Sequence, residues 1–402
     1  ERVRVAQIGP GGENLVRYAA VMHDVNRAAG RNGLGAVMGA KNLKAVAVRG
    51  SGTVSVADRP RVTAVSRWFG ETYKKLMAWA TAGIGRGTQN GLTGQAAVGG
   101  LPTRNFGQAE FEHPELLSGE RNYEMYLKDR DTCQGCPVSC KQVFENEDED
   151  PYRRLDPVYG GAEYEAMAAF GPCCDVSDNL AVLKANELAN ALGLDAISAG
   201  VAIAFVMECF EHGILTEADT GGLAYRWGDG DLLVRSVEMI GRRQGFGDVM
   251  AEGVARMAAR FGPESEPFNV TVKGQELPMH EPRGKTSLAI GYAISPTGAD
   301  HMEAIHDPSF EAFGTFDEGF ETLGMHEPVD RLELSAKKMK AFRHSDRDDP
   351  CTQIQVDLSA MLDGELDAAS VRRVMVHSDA CPSCRSFLEG VRLQTRSHRQ
   401  LH

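Results

Sequence analysis

The sequence predicts a mostly α protein of two helical domains, preceded by the end of a small α+β region. Three observations carry this expectation. The first 58 residues mix strand-like, helix-like and glycine-rich segments. From about residue 60 apolar residues recur at three-to-four spacing, the helical period, and strand signals become rare. One short strand-like segment, "FNVTVKGQELP" at 268–278, interrupts the helical run and sets a boundary. The expected division is therefore 1–58, 59–267 and 268–402.

Taken in order, "ERVRVAQIGP" alternates apolar and polar residues as a strand does. The chain begins here without a Met, on a strand already under way, so the expectation is a fragment or processed chain lacking its N-terminal portion. "NLVRYAAVMHDVNRAA" is helix-like, "GRNGLGAVMG" is a glycine-rich turn, and "LKAVAVRG" is a second strand candidate. "SDNLAVLKANELANALGL" has helical periodicity and ends on Gly193, a natural stop. "AISAGVAIAFVMECFEHGI" is apolar on most faces, which predicts a buried helix. "DLLVRSVEMIGRRQGFGDVMAEGVARMAARFG" reads as two more helices separated by glycines. The final 125 or so residues return to helix, with an acidic "DRDD" at 346–349.

Composition narrows the classes. The 402 residues are 42% hydrophobic and 25% charged, with no apolar run near 18 residues, so a soluble, cytoplasmic protein without a membrane span is expected. A net charge of −13 disfavours a nucleic-acid partner, which demands a basic face. Nine cysteines, odd in number and unevenly spread, do not resemble a disulfide framework and point instead to metal.

Three of them stand in "DTCQGCPVSCKQ": Cys133, Cys136 and Cys140. Three core thiols on a helix would be spoiled by Gly135 and Pro137. Zinc ribbons supply two matched C-x2-C pairs, whereas three clustered cysteines plus one remote cysteine is commoner for iron–sulfur ligation. Spacing alone leaves zinc open. It also leaves the fourth thiol open between Cys351 and the pair Cys381/Cys384 in "ACPSCRS". In "RAAGRNGLGAVMG", at 27–39, the glycines allow close backbone approach to a bulky anion, with Arg27 and Arg31 as phosphate partners. A tight packed turn is the equal alternative. A dinucleotide fingerprint is rejected, because this stretch follows a helix-like segment and no acidic residue waits about twenty positions on.

Read together, several blocks resemble the aldehyde:ferredoxin oxidoreductase family of tungsten–pterin enzymes. They are the whole stretch from "IGPGG" to "AVRG", "GLPTRNF", "CQGCPVSC", "GAEYEAM", "LGLDAIS", "MAEGVARMA" and "LPMHEPRGKTSLAIGYAISPTGADHM". They run in order from residue 1 to about 305. The resemblance implies a β-rich, pterin-binding base domain ending within residues 1–58, then two mostly helical domains. It implies tungsten (or molybdenum) held by two pterins, a [4Fe–4S] cluster, a small aldehyde as substrate and ferredoxin or a similar carrier as acceptor. A homodimer is compatible with it. Relatives reduce aromatic acyl-CoA rings or act on sugar aldehydes, and a bare iron–sulfur module without its own pterin site is the alternative of another class.

By the same resemblance Cys133, Cys136 and Cys140 match the clustered ligands. The family's D-x-x-G-L-C motif falls on "DRDDPC", so Asp346 would hold a pterin and Cys351 would be the fourth ligand. Asp349 and Pro350 replace its Gly-Leu. The sister motif D-x-x-G-L-D appears as "NALGLD", implicating Asn190, Leu194 and Asp195 in pterin binding, with Asn190 replacing an aspartate. The turn residues Arg27, Ala28, Gly30, Arg31 and Gly33 complete that set. Glu165 in "EYE" and His301 in "GADHM" match the family's acid–base pair, with Glu163 as the competing carboxylate. A histidine can donate to an aldehyde oxygen while a buried carboxylate takes a proton from water. His280 reads as cavity wall, Cys173, Cys174 and Cys209 as core thiols, and Cys381/Cys384 as a surface redox or zinc pair.

Overall fold

The computed structural model of the chain describes residues 3–52, 54–76, 86–133, 135–302, 306–311, 327–335, 338, 371–372 and 374–377. They fall into two compact units, 1–285 with 289–301, and 286–288 with 302–402.

The first unit opens on a four-stranded antiparallel sheet. Its strands are β1 (Arg4–Ile8), β2 (Val21–His23), β3 (Arg27–Ala29) and β4 (Ala45–Val48), in the order β3-β2-β1-β4. Ala6 faces His23 and Arg4 faces Val48. The helix-like stretch 14–29 is thus a correction: it forms the β2–β3 hairpin. Asp24 and Val25 adopt left-handed backbone at φ 48° and 75°, which a helix cannot accommodate. Asp24 is pinned by an ion pair with Arg4 and accepts the Val5 N–H at 3.3 Å. Pairing with β1 outweighs the local helical spacing.

A second correction follows. The glycine-rich turn at 30–33 does come after a strand, β3, and does open a helix, Leu34–Ala40. The sheet is antiparallel, so the parallel crossover of a dinucleotide fold is absent from it. Gly33 sits at φ 66°, and a Cβ there would meet the Arg17 carbonyl at 2.2 Å. The glycine is required by packing of backbone on backbone.

The helical body is built largely as its sequence indicates. Helix Asn179–Leu192 is capped by Asp178, whose carboxylate accepts the Leu180 and Ala181 N–H groups, and it stops at Gly193 with φ 70°. Helix Ala196–Glu211 is capped by Asp195 and buried along nearly its whole length. It packs against helix Tyr164–Phe170, while Gly230–Arg242 packs against Asn179–Leu192. The region read as two helices holds three, because Gly245 and Gly253 take positive φ between Gly230–Arg242, Gly247–Met250 and Val254–Phe261. A hairpin of β5 (Leu127–Asp131) and β6 (Lys141–Phe144) carries the cysteine loop at its tip. It has no signature in the sequence, since "LKDRD" is charged and largely exposed and lacks the apolar alternation of a strand. The strand-like segment near 268–278 is a two-residue-per-strand hairpin, β7 (Thr271–Val272) with β8 (Gln275–Glu276).

In the second unit, Lys338 and Asp307 form a fully buried ion pair at 2.6 Å. Lys338 also donates to Thr286 Oγ1 and the Arg331 carbonyl, and Arg331 grips both oxygens of Glu311. Among the described residues no helix is long and apolar enough to cross a membrane.

Close helix crossing gives a direct test. A Cβ at Gly200 would lie 2.5 Å from the Ala169 carbonyl oxygen and 2.8 Å from the Ala169 Cβ, so Gly200→Ala should destabilise the protein by about 1–3 kcal/mol. Gly50, with nothing near its Cβ position, should tolerate Ala within about 0.5 kcal/mol. Chemical denaturation of both variants checks the contrast.

Candidate active site

Glu165 lies in the first turn of helix Tyr164–Phe170. One oxygen, Oε2, accepts the Met279 N–H at 2.8 Å. The other, Oε1, is buried without a hydrogen-bond partner and faces two imidazoles: His280 Nε2 at 3.3 Å and His301 Nε2 at 3.6 Å. Burial lifts the Glu165 carboxyl to about 7; the Met279 N–H and the Arg31 charge pull it down, Asp195 pushes it up, and Lys285 pulls it down. Burial also lowers His301, against the nearby Asp300. The expected pair Glu165 and His301 therefore meets in one part-buried place, and His280 joins it. The three groups bring one oxygen and two nitrogens within 4.8 Å of one another. Glu163, the competing carboxylate, turns the other way to Thr88 and Lys141.

Beside this cluster runs a buried polar network. Arg31 pairs with Asp195 at 3.2 Å and donates to the carbonyls of Ala299 and Glu276 at 2.9 and 2.6 Å. Asp195 accepts the Ile197 N–H, and Ser198 Oγ lies 2.8 Å from both Asp195 Oδ2 and Glu276 Oε2, sharing its one proton between them. Arg31 is thus committed to internal partners. Arg27 pairs with Asp131 at 3.1 Å, Ala28 sits in β3 opposite Met22, and Gly30 leads into the turn that Gly33 closes. Leu194 is buried and bridges to Ala19, and Asn190 donates its amide N–H to the Tyr159 carbonyl at 3.0 Å.

Cys133, Cys136 and Cys140 share the loop between β5 and β6. Cys136 N–H donates to the Cys133 carbonyl, and Arg130 ties the loop by donating to the carbonyls of Val138 and Ser139. Cys140 is raised by burial first, then by Glu163, with Cys133 and Cys136 close enough to raise it further. An open basin of about 990 Å³ adjoins them, lined in part by Arg27, Asp131, Thr132 and Cys133. Asp346, Cys351, Cys381 and Cys384 lie outside the described residues. Cys173, Cys174 and Cys209 are buried, and burial pushes Cys173 and Cys209 up to about 12, which leaves them inert.

Of the residues assembled here, sequence reasoning undervalued His280 and overlooked Lys285. His280 stacks on Tyr164 with ring centroids 4.8 Å apart, and Lys285 approaches its Nδ1 at 3.1 Å. The only clue in the sequence is a histidine and a lysine flanking the rigid "EPRG" turn.

Comparison with known proteins bears on this geometry. Residues 65–352 match the family profile described as aldehyde ferredoxin oxidoreductase, domains 2 & 3, and residues 1–50 match that family's N-terminal domain profile. Residues 351–385 match a profile described as a putative zinc-finger. The tungsten-containing aldehyde ferredoxin oxidoreductase of Pyrococcus furiosus is 39% identical over 319 residues, covering 75% of this chain and 49% of that protein. An aliphatic sulfonate oxidoreductase, WOR-like subunit, from the same organism is 31% identical, covering 78% of this chain and 50% of its own length. The chain spans about half the length of these relatives. In solved structures, the active-site complex BamBC of benzoyl coenzyme A reductase aligns with a TM-score of 0.59 at 24% identity, over 74% of this chain and 46% of that one. That likeness speaks for the fold alone.

The raised Glu165 carboxyl carries a stability signature. Its folded value of about 7 lies above the unfolded value near 4.5, so the contribution is fully present below about 4.5 and lost as pH rises through about 7. The loss is at most about 3.5 kcal/mol, from roughly 1.4 kcal/mol per pKa unit. Glu165→Gln should remove it, so the difference between wild-type and variant unfolding free energies should grow across that window. His301, lowered by burial, contributes an opposite trend; it lies 3.6 Å from Glu165 and is itself altered by the substitution, so the comparison is made in a His301→Gln background. Parallel curves would refute the burial of an ionisable Glu165.

Proposed function

The chain belongs to the aldehyde ferredoxin oxidoreductase family, and from that membership we propose that it forms the helical body of an enzyme oxidising small aldehydes to carboxylic acids. The centre would be tungsten (or molybdenum) held by pterins, with a [4Fe–4S] cluster and a ferredoxin-like acceptor. The observation that carries the reading is the meeting of Glu165 and His301 at 3.6 Å in one part-buried site, 136 residues apart in the chain.

In this reading the tungsten–pterin group, when bound, accepts the two electrons of the aldehyde. The chain's own residues manage position and protons. His301, kept neutral by burial, donates a hydrogen bond to the carbonyl oxygen and polarises it. Glu165, poised near neutral pH, takes the proton released as water adds, and the Met279 N–H holds its second oxygen in place. The Arg31–Asp195 network keeps the 30–33 turn closed against helix Ala196–Glu211, and Asn190, Leu194, Asp195, Ala28, Gly30, Gly33 and Asp346 are the residues we assign to the pterins. Cys133, Cys136 and Cys140, with Cys351 as fourth ligand, are assigned to the cluster.

His301→Ala should lower aldehyde turnover by on the order of 10²–10⁴, with iron content unchanged. Viologen-coupled assays and metal analysis of the loaded enzyme test this, and full activity in the variant would sink the mechanism at its central residue. Metal analysis also separates the alternative class, since iron without tungsten or molybdenum would favour an electron-transfer module.

The cluster assignment has its own test. Cys136→Ser and Cys351→Ser should each strip iron and abolish transfer to external acceptors. Because the putative zinc-finger match also spans Cys351, loss of zinc with iron retained in Cys351→Ser would assign that cysteine to the C-terminal segment instead.

A further inference from the structure

The geometry points to Lys285 and His280 as a positioning pair for Glu165: Lys285 donates to His280 Nδ1, which leaves the ring proton on Nε2, the nitrogen that lies 3.3 Å from Glu165 Oε1. This rests on Glu165 being the proton-handling group proposed above.

Lys285 is 1% exposed and its Nζ lies 3.1 Å from His280 Nδ1. An ammonium has three donors and no lone pair, so the contact requires the lone pair to be on Nδ1. A neutral imidazole then carries its proton on Nε2. The ring has little freedom to avoid this role. It is stacked on Tyr164 at an interplanar angle of 24°, and its own backbone carbonyl accepts from Tyr292 Oη at 3.3 Å. Consecutive residues therefore address both oxygens of one carboxylate: Met279 through its backbone N–H to Oε2, His280 through its ring to Oε1. The second is a 3.3 Å approach and not a hydrogen bond, since Glu165 Oε1 has no hydrogen-bond partner.

The same three side chains, Glu165, His280 and His301, have the donor types of a divalent-metal site. A ligating imidazole needs its lone pair on the coordinating nitrogen and donates from the other. Lys285 imposes the reverse order on His280, which makes the proton-donor role the better fit.

The consequence is a preference for ionised Glu165. The groups facing it are Arg31, Lys285, His280 and His301, with Asp195 and Asp300 opposing and the hydroxyls of Tyr164 and Tyr292 nearby. Removing Lys285 takes away a positive charge and frees the His280 tautomer, and both changes favour the protonated carboxyl.

Two-bond ¹H–¹⁵N spectra of the full chain labelled at histidine read the tautomer directly, with His280→Gln assigning the signal. Wild type should show His280 protonated on Nε2 and bare on Nδ1 near pH 7.5. In Lys285→Met the signal should move toward the Nδ1–H form, and the Glu165 midpoint, read by ¹³C NMR against Glu165→Gln, should rise by roughly half to one unit. Lys285→Arg should restore both. A wild-type His280 protonated on Nδ1, or on both nitrogens, overturns the inference, as does an unmoved Glu165 midpoint in a folded Lys285→Met. So does stoichiometric Zn²⁺ binding that removes the Nε2–H signal from wild type. Should Lys285→Met fail to fold, the wild-type tautomer alone decides. None of these measurements needs the redox centre, so the pair can stand or fall separately from aldehyde oxidation.

Discussion

The Arg31 guanidinium is the interaction on which the first unit's organisation depends. It is held by one carboxylate and two backbone carbonyls from three separate segments: Asp195, Glu276 and Ala299. Each partner has a second task. Asp195 caps helix Ala196–Glu211, and the Glu276 side chain accepts the Val254 N–H at the start of helix Val254–Phe261. Ala299 stands two residues before His301. A buried charge broken from its partners is costly, on the order of 3–5 kcal/mol, so these segments are bound to keep their mutual register. The N-terminal sheet, two helix starts and the approach to His301 are thereby referred to one planar group.

Glu165 shows how that frame sets chemistry. Its ordinary charge is opposed by burial and favoured by a backbone N–H and two cations. Neither influence prevails completely, which leaves the carboxyl near neutrality. Moving any one of the surrounding segments by a fraction of an ångström would alter the balance, because electrostatic interactions in a poorly hydrated site are steep in distance. Rigidity of the surrounding helices is therefore part of the acid–base chemistry.

The sequence made much of this legible where a residue's role is local. Gly193 announces a helix end through a glycine stop that depends on neighbours within a few positions. The run 196–211 announces burial by being apolar on most faces. What stayed hidden depended on remote partners. Residues 14–29 carry helical spacing yet pair as strands, because β1 offers an edge that no local window contains. Glu163 and Glu165 are indistinguishable as letters; the helix begins between them, and two residues at about 100° each turn their side chains apart. His280 becomes notable only when Lys285 and Glu165 arrive at its two nitrogens.

The end of the cysteine hairpin and the start of the Glu165 helix are stitched together: Gly161 N–H donates to the Gln142 carbonyl at 2.7 Å, and Lys141 Nζ donates back to the Gly161 carbonyl at 3.0 Å. Gly161 is only four residues from Glu165, a backbone span of at most about 14 Å. That short segment acts as a ruler. On the proposed reading, the exit for electrons and the exit for the proton are gauged from a single anchored glycine. An insertion anywhere between 161 and 165 would lengthen one path relative to the other without touching a single reacting group.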